Sequence, residues 1–77
     1  MKLSILLFGV LADEAGSPNI MIENVNTLEE LKEKVKEELP SISKYSFQVS
    51  VNRDIVRGDM KLKENDEIAF LPPFAGG

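Results

Sequence analysis

The sequence lacks several side chains on which enzymes commonly depend. It contains no cysteine, no histidine and no tryptophan, and it has a single tyrosine. Without cysteine there is neither a disulfide framework nor thiolate chemistry. Without histidine, the usual proton shuttle at neutral pH and the commonest metal ligand are missing. The composition therefore favours a small carrier or binding module over a self-contained enzyme.

Positive charge is also scarce. Nine Lys and Arg residues stand against 13 Asp and Glu, which gives a net charge of −4. This balance argues against a nucleic-acid partner, because proteins that bind nucleic acids normally present a basic surface. The chain has 77 residues, of which 43% are hydrophobic. That is enough for one domain with a compact core, but it leaves little room for a deep active-site cavity.

An apolar run over residues 3–12 is the one candidate for a targeting segment. It is too short to span a membrane, which takes about 20 residues. The acidic stretch that follows, over residues 12–15, lacks the small-residue spacing of a signal-peptide cleavage site. We therefore expect a buried strand here, a cytoplasmic protein and no membrane partner.

Hydrophobic periodicity predicts five strands and one main helix. The strands are expected over residues 2–8, 18–25, 46–52, 55–56 and 67–71. The helix is expected over residues 27–39, with a capping box formed by Thr27 and Glu30 and an ion pair between Glu30 and Lys34. Residues 9–17 have room for one short helical turn, and residues 40–45 are expected to form a connector.

This order of elements predicts an α+β fold with two layers, in which one main helix packs on one face of a mixed sheet. A ubiquitin-like β-grasp roll fits the order. In that roll the first and last strands are neighbours in the middle of the sheet. Leu6, Phe8 and Leu71 would then lie together on the face without the helix, where an apolar patch suggests a partner surface.

The end of the chain departs from the rest in composition. We expect a β-grasp domain over residues 1–71 and a flexible C-terminal Gly-Gly tail over residues 72–77. Pro72 and Pro73 cannot continue a strand ladder. Gly76 and Gly77 lack a β-carbon, so their backbone could thread a narrow channel in another enzyme. An unhindered terminal carboxylate there could be activated as an acyl-adenylate and attacked by a nucleophile.

Several short segments also resemble a known family. They are Leu7-Phe8-Gly9 with Leu11 and Glu14-Ala15-Gly16, then residues 27–31, Val51-Asn52, and above all residues 65–77. Across essentially its whole length, the chain resembles the molybdopterin synthase small subunits of the MoaD/ThiS-like family, which are ubiquitin-like sulfur carriers. Asn65 stands where that family usually has glycine, and asparagine shares glycine's tolerance of left-handed backbone.

The resemblance implies a function for the tail. An E1-like adenylyltransferase would use ATP to adenylate the carboxylate of Gly77, which follows Gly76, and a sulfur donor protein would convert it to a thiocarboxylate. The tail would enter the large catalytic subunit of a heterotetrameric molybdopterin synthase. There the sulfur would pass to cyclic pyranopterin monophosphate to form the molybdopterin dithiolene. Catalytic side chains would belong to the large subunit, and this chain would bind no cofactor and no metal. The partner-binding residues would be Phe8, Leu71, Pro72, Pro73, Phe74 and Ala75.

Other functions fit the same sequence. The nearest is a sulfur carrier for thiamine thiazole biosynthesis, followed by a ubiquitin-like modifier joined to lysines through Gly77. A different class is a non-catalytic interaction domain with an inert tail. An independent enzyme is disfavoured because the acidic candidates lie in or beside turns, where Asp and Glu are ordinarily solvated. Those candidates are Asp13, Glu14, Asp54, Asp59, Asp66 and Glu67. Residues 57–59 spell the adhesion tripeptide Arg-Gly-Asp, which we interpret as turn chemistry.

Overall fold

The amphipathic segments of the sequence form a mixed sheet with helices packed on one side. The computed structural model describes residues 2–72. Its elements are β1 (Lys2–Leu7), α1 (Val10–Ala15), β2 (Asn19–Glu23), α2 (Leu28–Glu38), α3 (Pro40–Ser43), β3 (Gln48–Val51), β4 (Asp54–Val56) and β5 (Ile68–Leu71). None of the helices in this part of the chain is long and apolar enough to cross a membrane.

The five strands are ordered β2-β1-β5-β3-β4. The first and last strands lie side by side in the middle and run parallel, with Leu7 opposite Phe70. The other three neighbouring pairs are antiparallel. This arrangement confirms the predicted α+β β-grasp fold, including the central position of β1 and β5.

The core lies between the sheet and the helices. Alternate residues of β1 are buried, as a period of two requires when one face of a strand is covered. Helix α2 buries the stripe Leu28, Leu31 and Val35 against them. Phe70 is fully buried and stacks on Phe47, with 4.5 Å between ring centroids. Truncating a buried phenylalanine such as Phe70 to alanine costs about 3–5 kcal/mol.

The first turn of α2 is capped twice. The predicted capping box is present: the Thr27 Oγ1 accepts from the Glu30 amide at 3.2 Å, and the Glu30 carboxylate accepts from the Thr27 amide. A second cap comes from Asp59, whose carboxylate accepts from the Glu29 amide at 2.9 Å. These contacts satisfy amide groups that have no partner within the helix.

The predicted ion pair between Glu30 and Lys34 was wrong, because both side chains are used elsewhere. Glu30 turns back to the helix start, and the Lys34 ammonium donates to the Glu23 carbonyl at 2.7 Å. The predicted connector over residues 40–45 was also wrong in part. Pro40 ends α2 but also occupies the first turn of α3, where its fixed backbone angle is favourable. The buried Ile42 anchors that short helix in the core.

Candidate functional site

The candidate site begins where the last strand ends. After Leu71 comes Pro72, which is buried and is the last described residue. Pro72 lies against Gly9, so closely that a β-carbon on Gly9 would lie 3.1 Å from the Pro72 Cγ. Gly9 has φ 57° and ψ −132°, a combination that side-chain-bearing residues strongly disfavour. The backbone angle therefore requires glycine at this position, and a β-carbon here would also displace the Pro72 ring by a few tenths of an ångström.

The loop that carries Gly9 is held on both sides. Before it, the Leu7 amide donates to the Pro18 carbonyl at 2.8 Å. After it, α1 starts with the Ala12 amide donating to the Gly9 carbonyl at 3.1 Å, and Leu11 is fully buried. Helix α1 ends at Gly16 in a left-handed conformation. The contact surface for Pro72 is thus fixed by the core and by local hydrogen bonds.

An apolar surface adjoins the end of β5 on the face of the sheet opposite the helices. Leu6 is opposite Ala69 in the parallel pair, and Leu71 lies two residues further along β5 on the same face. Phe8 follows β1 directly and is 44% exposed, while Met21 on β2 is 52% exposed. We call Leu6, Phe8, Met21 and Leu71 the apolar face. Partner surfaces commonly have this character.

The start of β5 is fixed by a hydrogen-bond network around Asn52. Asn52 accepts from the Glu67 amide at 2.9 Å and donates to the Asp66 carboxylate at 3.0 Å. Asp66 also accepts from the Lys63 amide at 2.7 Å. These two bonds, that from the Lys63 amide first, lower the pKa of Asp66 below its ordinary value of 3.8. Asn65 adopts the left-handed backbone expected of it, with φ 70°.

Several of the acidic side chains that the sequence offered as candidates make contacts within the fold. A shallow cleft of about 420 Å³ on the sheet face is lined in part by Asp66 and Glu67. Asp66 is engaged by Lys63 and Asn52, and Glu67 lies 3.4 Å from the Arg53 Nε. Glu14 accepts from the Tyr45 hydroxyl at 3.0 Å. Within residues 2–72, no group of three or more acidic side chains is placed to hold a metal ion.

The structure places some of the predicted site residues. Phe8, Leu71 and Pro72 are described; Leu71 ends β5, the strand that pairs with β1, and Pro72 follows it. Pro73, Phe74, Ala75, Gly76 and Gly77 lie outside the described residues, so their roles stay predictions. Sequence reasoning missed the contact between Gly9 and Pro72. A glycine directly after an apolar strand was the available signal.

The fold is that of a β-grasp domain. In the sequence, its last strand β5 is followed by Pro72-Pro73 and then by Gly76-Gly77. Residues 5–77 match the model of the ThiS family. The chain belongs to the ThiS family. It is 34% identical over 84 aligned positions to the molybdopterin synthase sulfur carrier subunit of Dictyostelium discoideum, with 99% of this chain and 96% of the relative covered.

Solved structures share the fold. SAMP1 from Haloferax volcanii superposes with a TM-score of 0.85 at 20% identity, with both chains covered completely. In the complex of subunits 1 and 2 of the molybdopterin-converting factor from Helicobacter pylori, the matching chain has a TM-score of 0.75 at 25% identity. This match covers the whole of the present chain and the whole of the matching chain.

Proposed function

We propose that this chain is the sulfur carrier subunit of a molybdopterin synthase. The observation that carries the proposal is the 34% identity, over nearly both full lengths, to a sulfur carrier subunit of that enzyme. The family match also extends through Gly77, the residue whose carboxylate would carry the sulfur. The lack of cysteine and histidine is compatible with this role, because the reactive group would be the chain terminus itself.

The chemistry would take place on the Gly77 carboxylate. An oxygen of that carboxylate attacks the α-phosphate of ATP on an E1-like adenylyltransferase, and pyrophosphate leaves. A persulfide on a donor protein then attacks the acyl carbon and displaces AMP. A thiol cleaves the S–S bond of the resulting acyl disulfide, which releases the thiocarboxylate and leaves the donor as a disulfide. The thiocarboxylate sulfur attacks the pterin precursor, cyclic pyranopterin monophosphate, on the large subunit. Water then cleaves the bond between the acyl carbon and the sulfur, which leaves the sulfur on the pterin and returns the carboxylate. Two such transfers build the dithiolene.

The folded part of the chain would supply position and recognition. Gly9 and Pro72 fix where the chain leaves β5, and the apolar face lies beside that point. We propose that Phe8, Leu71 and Pro72, together with residues 73–77, contact the large subunit. The structural relative from Helicobacter pylori forms a complex between subunits 1 and 2 of its converting factor, which supports a partner of this kind. A heterotetramer of two small and two large subunits is part of the proposal.

Intact-protein mass spectrometry tests the proposed reaction. The full chain is incubated with ATP, a sulfur donor and the adenylyltransferase. The expected result is a mass increase that corresponds to one oxygen replaced by sulfur, localised to Gly77 by fragmentation. The matched control is a chain without Gly76 and Gly77, which should fold normally and remain unmodified.

A second step distinguishes the pathway. Addition of the large subunit and the pterin precursor should return the carrier to its original mass and yield molybdopterin. If the thiocarboxylate forms but only a thiazole synthase consumes it, the molybdopterin assignment is wrong while the carrier assignment stands. An unchanged mass, with an adenylyltransferase that activates another carrier, would contradict both assignments.

A further inference from the structure

A cleft between helix α2 and the edge strand β4 lies away from the apolar face. It has a volume of about 460 Å³. Its lining includes the apolar side chains Phe47 and Val56 and three cationic side chains, Lys32, Lys36 and Arg57. Phe47 and Val56 are only partly buried, so they are accessible to an occupant of the cleft.

The charge of this cleft is opposite to that of the chain. The chain carries a net charge of −4, yet no acidic residue lines the cleft. Lys32 lies 3.8 Å from the Glu29 carboxylate, a long ion pair in which the lysine side chain is 29% exposed and the glutamate side chain 56%. Within residues 2–72, neither Lys36 nor Arg57 forms an ion pair. Three cations at one concave surface are complementary to a negatively charged ligand.

The cleft adjoins an edge strand of the sheet. β4 is at the end of the sheet order, so one of its edges has no strand partner among the described residues. An extended peptide can add to such an edge through main-chain hydrogen bonds, while pockets beside the edge select alternate side chains. A single phosphate or a small anion would use the cations but neither the edge nor the apolar side chains.

We propose that this cleft binds an extended, acidic segment of a partner protein, added as a strand to the free edge of β4. Carboxylates of the segment would meet Lys32, Lys36 and Arg57. An aliphatic side chain of the segment would pack on Phe47 and Val56. The proposal does not involve the Gly77 carboxylate, so it does not depend on which reaction that group undergoes.

The position of the cleft suggests how it could cooperate with the tail. Val56 is opposite Val49 on β3, and Gln48, the residue before Val49, is opposite Leu71 on β5. The cleft and the end of β5 therefore open at the same end of the sheet. A partner that receives the tail could place an acidic segment on β4 without covering the apolar face.

Nuclear magnetic resonance titration of the ¹⁵N-labelled full chain tests the proposal. The probe is a short peptide of alternating glutamate and valine. Amide shifts are expected in β4 and around Lys32 and Lys36, and the affinity should fall as salt is added. The double variant Lys36→Glu, Arg57→Glu should weaken binding at least about tenfold. The variant Lys61→Glu, Lys63→Glu changes the net charge equally at two exposed residues outside the cleft and should bind normally.

Two outcomes would overturn the proposal. Absence of shifts in β4 at high peptide concentration would mean that the cations only protect the edge from unwanted pairing. Tighter binding of an oligothymidylate of equal charge would mean that charge alone attracts ligands to this surface. The spectrum of each variant shows directly whether it is folded. The mass-spectrometric test at Gly77 is read separately, so failure of one proposal does not imply failure of the other.

Discussion

Gly9 and Pro72 are in contact across the junction where the chain leaves the sheet. A β-carbon on Gly9 would lie 3.1 Å from the Pro72 Cγ, and Gly9 has a backbone conformation that only glycine adopts readily. The two residues are far apart in sequence, yet both are adjacent to the central parallel strands. The contact fixes the position of Pro72, the last described residue, against the loop that follows β1.

The variant Gly9→Ala should therefore lose both stability and function. Strained backbone of this kind costs about 1–3 kcal/mol, to which displacement of Pro72 would add. Urea denaturation measures the loss, and the rate of thiocarboxylate formation at Gly77 measures the displacement of the terminal segment.

Two other glycines provide controls for this variant. Gly16 also has positive φ, 74°, but a β-carbon there would meet nothing within 4 Å. Gly16→Ala should cost about 1 kcal/mol without slowing thiocarboxylate formation. Gly58 has open space and no positive φ, so Gly58→Ala should leave both measurements unchanged. Equal kinetic effects at Gly9 and Gly16 would show that Pro72 does not direct the tail.

The second prediction concerns Asp59 at the start of α2. Its carboxylate accepts from the Glu29 amide and from the Met60 amide, each at 2.9 Å. Asp59→Ala should lower the free energy of unfolding by about 1 kcal/mol, as loss of a helix cap does. Glu64→Ala removes a carboxylate from an exposed turn and should have little effect on the free energy of unfolding.

The Asp59 carboxylate already accepts these two backbone hydrogen bonds, which argues against an adhesion role for residues 57–59. Immobilised protein should therefore not support integrin-dependent cell attachment.

Acid should destabilise the protein through Asp66. Hydrogen bonds from Lys63 and Asn52 lower the pKa of this carboxyl below 3.8. A lowered folded-state pKa means that the charged form stabilises the fold above the unfolded-state pKa, and that this contribution disappears as the pH falls through the folded-state pKa. Denaturation of the wild type and of Asp66→Asn should show a stability difference at neutral pH that narrows below about pH 4. A constant difference down to the most acid pH would contradict the prediction.

Features that depend on neighbouring residues or on the order of the elements were predicted from the sequence, whereas individual contacts between residues far apart in the chain were not. Helix α2 was predicted because its capping box and apolar stripe are local patterns. The order of the elements was enough to predict the central pairing of β1 and β5. Asp59 lies 30 residues from the Glu29 amide that donates to its carboxylate, so no local sequence pattern could predict this cap. Helix α3 was not predicted, because Pro40 was interpreted only as the end of α2. A proline that ends one helix can also occupy the first turn of the next.

Tyr45 should titrate above its ordinary pKa. The hydrogen bond from its hydroxyl to Glu14 is the largest cause, and burial and the negative charge of Glu14 add to it, so the pKa of Tyr45 is raised from 10.0. Tyr45 is the single tyrosine, so the ultraviolet absorbance of tyrosinate reports this residue alone. In Glu14→Ala the pKa should return towards 10.0. A raised pKa adds stability that is present below pH 10 and is lost as the pH rises through the folded-state value.

The last prediction tests the apolar face. Phe8 is 44% exposed beside Leu6 and next to the end of β5, so it can be truncated with little loss of core packing. If the face docks on the large subunit, Phe8→Ala should weaken the complex about tenfold or more, because a few large apolar side chains dominate such interfaces. Met60 is 36% exposed and precedes an isolated bridge between Lys61 and Thr27, away from β5. Met60→Ala should therefore bind normally. Calorimetry with the large subunit measures both affinities, and equal affinities would place the docking surface elsewhere on the chain.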